Sequence, residues 1–258
     1  LFDALTATPR VDVLCAELSS FQLHWSSQLR PDVGVLLNLA EDHLDWHGSF
    51  DAYAQAKAKV LDGQAAVVGK DDAAAVRYAE NTANLYGFTA VEPAEGEVGV
   101  SAGRLLSRLT QEREDLASAE GIEPAGLAGV LDAAAAASVA RLAGASPRSI
   151  AQGLAAYTVA GHRGAVIHEH SGISFIDNSK ATNPHAADAA LKGLNSVVWI
   201  AGGQLKGAEV DGLVAKHAAQ IKAAVVLGAD RQEIAQALAE HAPHAPVDVI
   251  ESNDPAAA

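Results

Sequence analysis

The sequence predicts an α/β protein built on parallel sheets, in two successive units. Short, continuously apolar runs alternate with helical ones, and the alternation restarts after about residue 160. A strand covered on both faces of a parallel sheet is apolar without interruption, whereas a half-exposed strand alternates. VDVLCAEL (11–18) and VGVLLNLA (33–40) have the uninterrupted pattern, and SSFQLHWSSQL offers a short helical crossover between them. FDAYAQAKAKVLDG (50–63) reads as a helix ended by Gly63, AAVVG (65–69) as a buried strand and DDAAAVRYAEN (71–81) as a helix. Residues 88–125, rich in Gly, Glu and Pro, read as short antiparallel strands or loop. Helices are expected over 126–145 and 147–157.

The second unit opens with AVIHEHSGISFIDN (165–178), two alternating runs joined at His170–Ser171–Gly172, the pattern of a hairpin. A helix over 184–193, a strand over 196–203, a helix over 211–219, a strand over 223–228, a helix over 230–240 and a last strand over 247–252 follow. The division is expected at 159/160, giving units 1–159 and 160–258. The chain has no Met, its first residue falls at what reads as the end of a turn or helix, and it stops where another helix is expected. Both units are therefore expected to be incomplete.

Composition narrows the class. Of 258 residues, 49% are hydrophobic and 19% charged, enough apolar material for a core. The single cysteine, Cys15, excludes an intrachain disulfide framework and a four-cysteine zinc site. No apolar run reaches 18 residues and no basic-then-apolar leader opens the chain, so the reading is cytoplasmic with no membrane partner. The net charge of -14 argues against a nucleic-acid partner and leaves phosphate binding to a few local cations, backbone N–H groups or metal ions.

Six segments carry groups with chemistry. Glu17, at the end of a predicted strand, points where parallel sheets bind ligands and is a Mg²⁺ candidate. The alternative is a solvated strand end with Ser19 and Ser20 capping the next helix. NLAEDHLDWHG (38–48) packs three acids with His43 and His47, either a cation and phosphate site with His43 in or beside the metal shell, or a polar loop with capping acids. Lys57 sits among Ala54, Ala56 and Ala58, which permit close packing, although most helical lysines are solvated; Lys59 faces elsewhere. Arg163, in GHRG, suits a bidentate phosphoryl clamp or an interdomain ion pair. FIDNSKATNPHAA (175–187) supplies Asp177, Asn178, Ser179, Lys180, Thr182 and Asn183 before Pro184, which suits a helix first turn. In AGGQLKG (201–207), Lys206 reaches over a glycine turn.

Taken together, ELSSFQL (17–23), NLAEDHLDWHG (38–48), YAQAK (53–57), HR (162–163), NSKATN (178–183) and GGQLKG (202–207) resemble the Mur ligase family, most closely its D-glutamate-adding branch. The resemblance implies an incomplete central ATPase-type domain followed by an incomplete Rossmann-like C-terminal domain. It implies an ATP- and Mg²⁺-dependent amide ligase of peptidoglycan synthesis, a monomer, joining D-glutamate to UDP-MurNAc-L-alanine through an acyl phosphate. The implied catalytic residues are Lys57, His43, Glu17 and Arg163. Glu17, His43 and a CO₂-derived carbamate on Lys57 would hold two Mg²⁺. Asn178, Arg163 and Asp132 would face the nucleotide, and Lys180, Thr182, Lys206 and Ser19 the substrates. The sequence departs from the family in several places: it has no GxxxxGK[ST] loop, Ala128, Gly129 and Asp132 stand where many members carry HNxxN, and Ala165 follows HR where relatives often carry Glu or Gln. Little or no turnover by the chain alone is therefore expected. A sibling ligase for another amino acid and a silent nucleotide- or precursor-binding module are the other readings.

Overall fold

The computed structural model describes residues 3, 6–124, 126–205 and 207–251. Lys206 and Ser252, on which expectations fell, lie outside the described residues. The chain divides into two compact units, one drawn from residues 1–101, 106–115 and 134–147, the other from 102–105, 116–133 and 148–258.

In the first unit, β1 (Val33–Leu36), β2 (Ala65–Gly69) and β3 (Leu85–Phe88) are parallel neighbours, with Val35 opposite Val67 and Val67 opposite Tyr86. β4 (Glu97–Ser101) runs parallel to β3. With β5 (Arg104–Ser107) and β6 (Glu114–Ser118) it completes a six-stranded sheet in chain order. Ala66, Val67 and Val68 of β2 are fully buried, as the uninterrupted pattern predicts for a strand covered on both faces.

Four short helices frame the site. They are α1 (Ser20–Trp25), α2 (Leu44–His47), α3 (Phe50–Ala58), continued by a 3₁₀ turn at Lys59–Leu61, and α4 (Ala73–Ala79). Each of α1, α3 and α4 starts on an oxygen that accepts from a backbone N–H three residues on, from Ser19, Ser49 and Asp72 respectively. Leu36, Leu39, Tyr53, Ala54, Leu61, Ala66, Val68, Ala75 and Ala79 form one core. Gly34 lets β1 approach the turn after α3, because a Cβ there would come within 1.8 Å of the Val60 carbonyl oxygen. That contact sets the position of α3, which carries Lys57.

One expectation fails here. Residues 11–18 form no strand, and 11–17 are exposed, Val13 by 78%. An apolar run becomes a parallel strand only with a hydrogen-bonded neighbour and covered faces, and among the described residues this one has neither. Glu17 therefore sits on extended chain leading into α1, not at a strand end. The weakly patterned stretch 88–125 holds short strands, β4, β5 and β6, as expected, whereas β3, just before it, was not expected and pairs in parallel with β4. The helices expected next are α5 (Leu127–Leu142) and α6 (Pro147–Ala156).

In the second unit, β7 (Ala165–His170) and β8 (Ile173–Asp177) form the expected hairpin. Its two turn residues, Ser171 (φ 51°) and Gly172 (φ 78°), have the double positive φ of a type I′ turn. α7 (Pro184–Leu191), β9 (Val197–Gly202), α8 (Asp211–His217), β10 (Ile221–Leu227), α9 (Arg231–His241) and β11 (Val247–Val249) follow in the expected alternation. The last three strands make a parallel sheet in the order β11–β10–β9, with a core that includes Val214, Ile221, Val226 and Leu238.

Candidate active site

The first group gathers around α3. Tyr53 is buried, and one helical turn later Lys57 Nζ lies 5.6 Å from the centre of its ring. Lys57 is half-buried. Burial pushes its ammonium pKa below the ordinary lysine value, while the negative charges of Asp42 and Glu17 push it back up. Glu17, Asp42 and Lys57 are thus brought together from three segments. Asp42 also raises the Tyr53 hydroxyl, after the larger effect of burial. Lys59, two residues on, faces elsewhere as expected: its ammonium donates to the carbonyls of His24 (2.8 Å) and Ser26 (3.2 Å), closing the end of α1.

His43 precedes α2 in a left-handed conformation (φ 53°, ψ 32°). Its backbone N–H donates to Asp42 Oδ1 (2.9 Å), and its Nε2 stands 3.7 Å from Asp42 Oδ2. Its ring lies 4.9 Å from that of Phe21, centre to centre. Asp42 therefore touches His43 and acts on Lys57. Its neighbourhood in sequence was legible, but its role depends on the αL turn at His43, which no motif announced. Ser19 has its groups engaged within α1: the hydroxyl donates to Gln22 Oε1 and accepts from Gln22 N–H.

Mg²⁺ favours a few hard oxygen donors and retained waters. Glu17 and Asp42 supply carboxylates beside Lys57, so the donor set suits such an ion. The described residues bring three His, Cys, Asp or Glu donors within 4.8 Å of one another elsewhere, at Asp211, Glu240 and His241. Glu17 and His43 belong to no such group. Lys57, which feels the Glu17 charge, becomes an oxygen donor only as an anion.

The second group lies in the second unit, where two loops meet. His162 (φ 68°) places Nδ1 2.7 Å from Asp177 Oδ2 and 3.1 Å from Ser179 Oγ. The Lys180 N–H donates to the His162 carbonyl (3.1 Å), and the Gly164 N–H to the Asp177 carbonyl (2.9 Å). Asp177 is held below the ordinary carboxylate range, chiefly by the Ser179 backbone N–H, then by the Ser179 hydroxyl and His162. These contacts fasten the Arg163 loop to the Asn178–Lys180 loop. Arg163, Lys180 and Thr182 are exposed, Arg163 with no ion pair among the described residues, and Asn178 is half-buried. Asn183 caps α7, accepting from Ala186 N–H with Pro184 next in chain. The sequence offered Asp177 only as one of six polar residues in its loop and His162 only within the HR motif; their link spans 15 positions and needs the hairpin between them. Asp132 is exposed on α5, with no hydrogen bond or ion pair to either loop.

The first unit is thus a parallel α/β unit with a partly buried lysine that feels two carboxylates, and the second a Rossmann-like unit with exposed cations on two linked loops. Residues 3–104 match the Mur ligase middle domain and residues 162–258 the glutamate ligase domain of Mur ligases, and the chain belongs to the Mur ligase family. It is 56% identical over 257 residues to the UDP-N-acetylmuramoylalanine--D-glutamate ligase of Corynebacterium efficiens, covering 99% of this chain and 54% of that protein. Its identity to the ligase of the same name from Corynebacterium diphtheriae is 54% over 259 residues, covering 98% and 54%. The chain spans about half the length of the curated relatives it matches. Among solved structures it is similar to MurF from Acinetobacter baumannii (TM-score 0.64, 20% identity, 89% of this chain and 52% of that one). It is likewise similar to MurC from Thermotoga maritima (TM-score 0.61, 17% identity, 91% and 53%). At such identities the two structures speak for the fold alone. Among the described residues, no helix is long and apolar enough to cross a membrane.

Proposed function

We propose that this chain carries the central and C-terminal catalytic parts of a cytoplasmic, ATP-dependent ligase that joins D-glutamate to UDP-MurNAc-L-alanine in peptidoglycan synthesis. The observation that carries the reading is Lys57, half-buried against the Tyr53 ring and subject to the charges of Glu17 and Asp42. The 56% identity to a D-glutamate ligase supports these substrates over those of the sibling ligases.

A lowered ammonium pKa raises the fraction of neutral amine near neutral pH. Neutral Lys57 Nζ can add to CO₂: the N–C bond forms, a proton leaves to water, and the cation becomes a carbamate anion. Carbamylated Lys57, Glu17 and His43 would hold Mg²⁺, with Asp42 orienting His43; the ions would neutralise charge on phosphate and acyl oxygens. Arg163 would fork onto the transferring phosphoryl group. Asn178 and Asp132 are assigned to the nucleotide, and Lys180, Thr182 and Lys206 to D-glutamate. Ser19, with its hydroxyl already engaged twice, has one remaining lone pair for substrate. The ligation itself is the transfer of the γ-phosphoryl of ATP to the substrate carboxylate. The D-glutamate amine then attacks the acyl carbon, and phosphate leaves with the C–O bond.

The test is phosphate release from ATP with UDP-MurNAc-L-alanine. It compares D-glutamate with L-glutamate, L-lysine and diaminopimelate, in this chain alone and in the full reading frame that encodes it. Release in the full frame that requires D-glutamate is expected, with little or none from the chain alone. Release with another amino acid assigns a sibling ligase, and no release with any of them assigns a silent binding module.

A further inference from the structure

His47 stands four residues beyond His43 and has no part in the scheme above. Its surroundings are nevertheless the most built of any histidine in the first unit. Nε2 lies 3.0 Å from the hydroxyl of Ser20, the first residue of α1, whose side chain is buried. Nδ1 is buried with no hydrogen-bond partner. The ring sits 5.7 Å from Phe21 and nearly parallel to it, 4.5 Å from Trp46 and 5.4 Å from Tyr53, edge to face. His24, from the same helix as Ser20, closes a further side at 6.1 Å.

Those neighbours belong to three different segments. Ser20, Phe21 and His24 lie on α1, which starts three residues after Glu17; Trp46 lies on α2, directly after His43; Tyr53 lies on α3 and bears Lys57 on its ring. A six-residue helix does not persist by propensity alone, because nucleation outweighs the few bonds gained. Its place must come from tertiary contacts, and the Ser20–His47 bond is the polar one at its first turn. A buried nitrogen with no partner carries a desolvation cost that a merely space-filling residue would avoid. Phe or Leu would fill the same volume without that cost, but neither could bond Ser20.

We propose that His47 is a positioning residue, bonded to Ser20 and packed on Tyr53, that fixes the Glu17 segment against the helix carrying Lys57. The inference rests on the reading that Glu17 and Lys57 act together. It assigns the Nε2–H tautomer, with Ser20 Oγ accepting, because a bare lone pair at Nδ1 is cheaper to bury than an unpaired N–H.

The test uses His47→Ala, His47→Gln, whose Nε2 can reach Ser20 again, and Ser20→Ala. Amide hydrogen exchange on this chain reads α1 at Gln22 and Leu23, with Val67 and Val68 of β2 as the reference. His47→Ala and Ser20→Ala are expected to speed exchange in α1 by tenfold or more while leaving β2 within twofold. His47→Gln is expected to stay within threefold of the parent. In the full reading frame, His47→Ala is expected to lower kcat by tenfold or more with KM for D-glutamate within twofold, and His47→Gln to restore most of kcat. Equal acceleration in α1 and β2 would make His47 a general stabiliser and overturn the proposal. So would unchanged α1 exchange, or loosened α1 with unchanged kcat. If the unsubstituted full frame ligates nothing, the proposed function fails, and the exchange data on this chain still decide whether His47 holds α1.

Discussion

Asp188, on α7, shows how single groups are balanced in the second unit. Lys216 Nζ and the Nε2 of the buried His217 both lie 2.7 Å from its carboxylate. Burial pushes the Asp188 pKa up, but the hydrogen bonds from Lys216 and His217 outweigh it and leave the carboxyl below its ordinary value. A depressed folded-state pKa means stability present above the unfolded-state value and lost as pH falls through the folded one. Asp188→Asn should therefore cost about 1–3 kcal/mol at neutral pH, the cost of a charged hydrogen bond with its partner left buried. The difference from the parent should begin to shrink as pH falls below the ordinary carboxylate pKa and vanish only below the depressed one, and urea unfolding followed from pH 7 down to pH 2 checks both. At the same scale, much of the candidate site could be read in sequence. Lys57 was distinguishable from Lys59 because alanines flank it and the two face different ways on α3. The Asp42 contact with His43 and the His162–Asp177 link were not legible, because each is set by a positive φ that residue spacing does not encode.

Elements were legible where pattern and neighbours agree. β2, the β7–β8 hairpin and the β9–α8–β10–α9 alternation combine an unbroken or alternating pattern with their own turn and cap residues, so local signals suffice. β3 was missed because its four residues, LYGF, pair through their backbone and include a glycine. Residues 11–18 failed for the opposite reason: their composition suits a buried strand, but burial belongs to the surroundings and not to the run. That difference has a direct consequence for Cys15, which lies in the segment and is exposed. A thiol-specific reagent such as dithionitrobenzoate should modify Cys15 fully in the native protein, at a rate within a few-fold of the urea-unfolded chain. Protection by a hundredfold or more would return the segment to a buried strand.

For the molecule as a whole, the charge of -14 frames the chemistry. Under the proposed function, triphosphate, a precursor bearing a pyrophosphate and one carboxylate, and an acidic amino acid would meet on an acidic protein, so attraction would have to be local. The exposed cations of the Arg163 and Lys180 loops supply part of it. The first unit offers carboxylates instead, and those attract substrate anions only through divalent cations. Converting Lys57 from cation to anion makes sense in that setting alone, because it adds a donor for such ions. The two-unit alternation that places these groups was the most legible feature of the sequence, since it repeats over many residues and tolerates errors at any one. Everything proposed for the first unit turns on Lys57 being its reactive lysine. The most direct measurement is ¹³C NMR of this chain in ¹³C-labelled bicarbonate at mildly alkaline pH, with the Lys57→Gln and Lys59→Gln variants alongside. A carbamate resonance that is lost in Lys57→Gln and kept in Lys59→Gln is the predicted result. A spectrum with no carbamate signal, or with one that survives Lys57→Gln, would contradict the account.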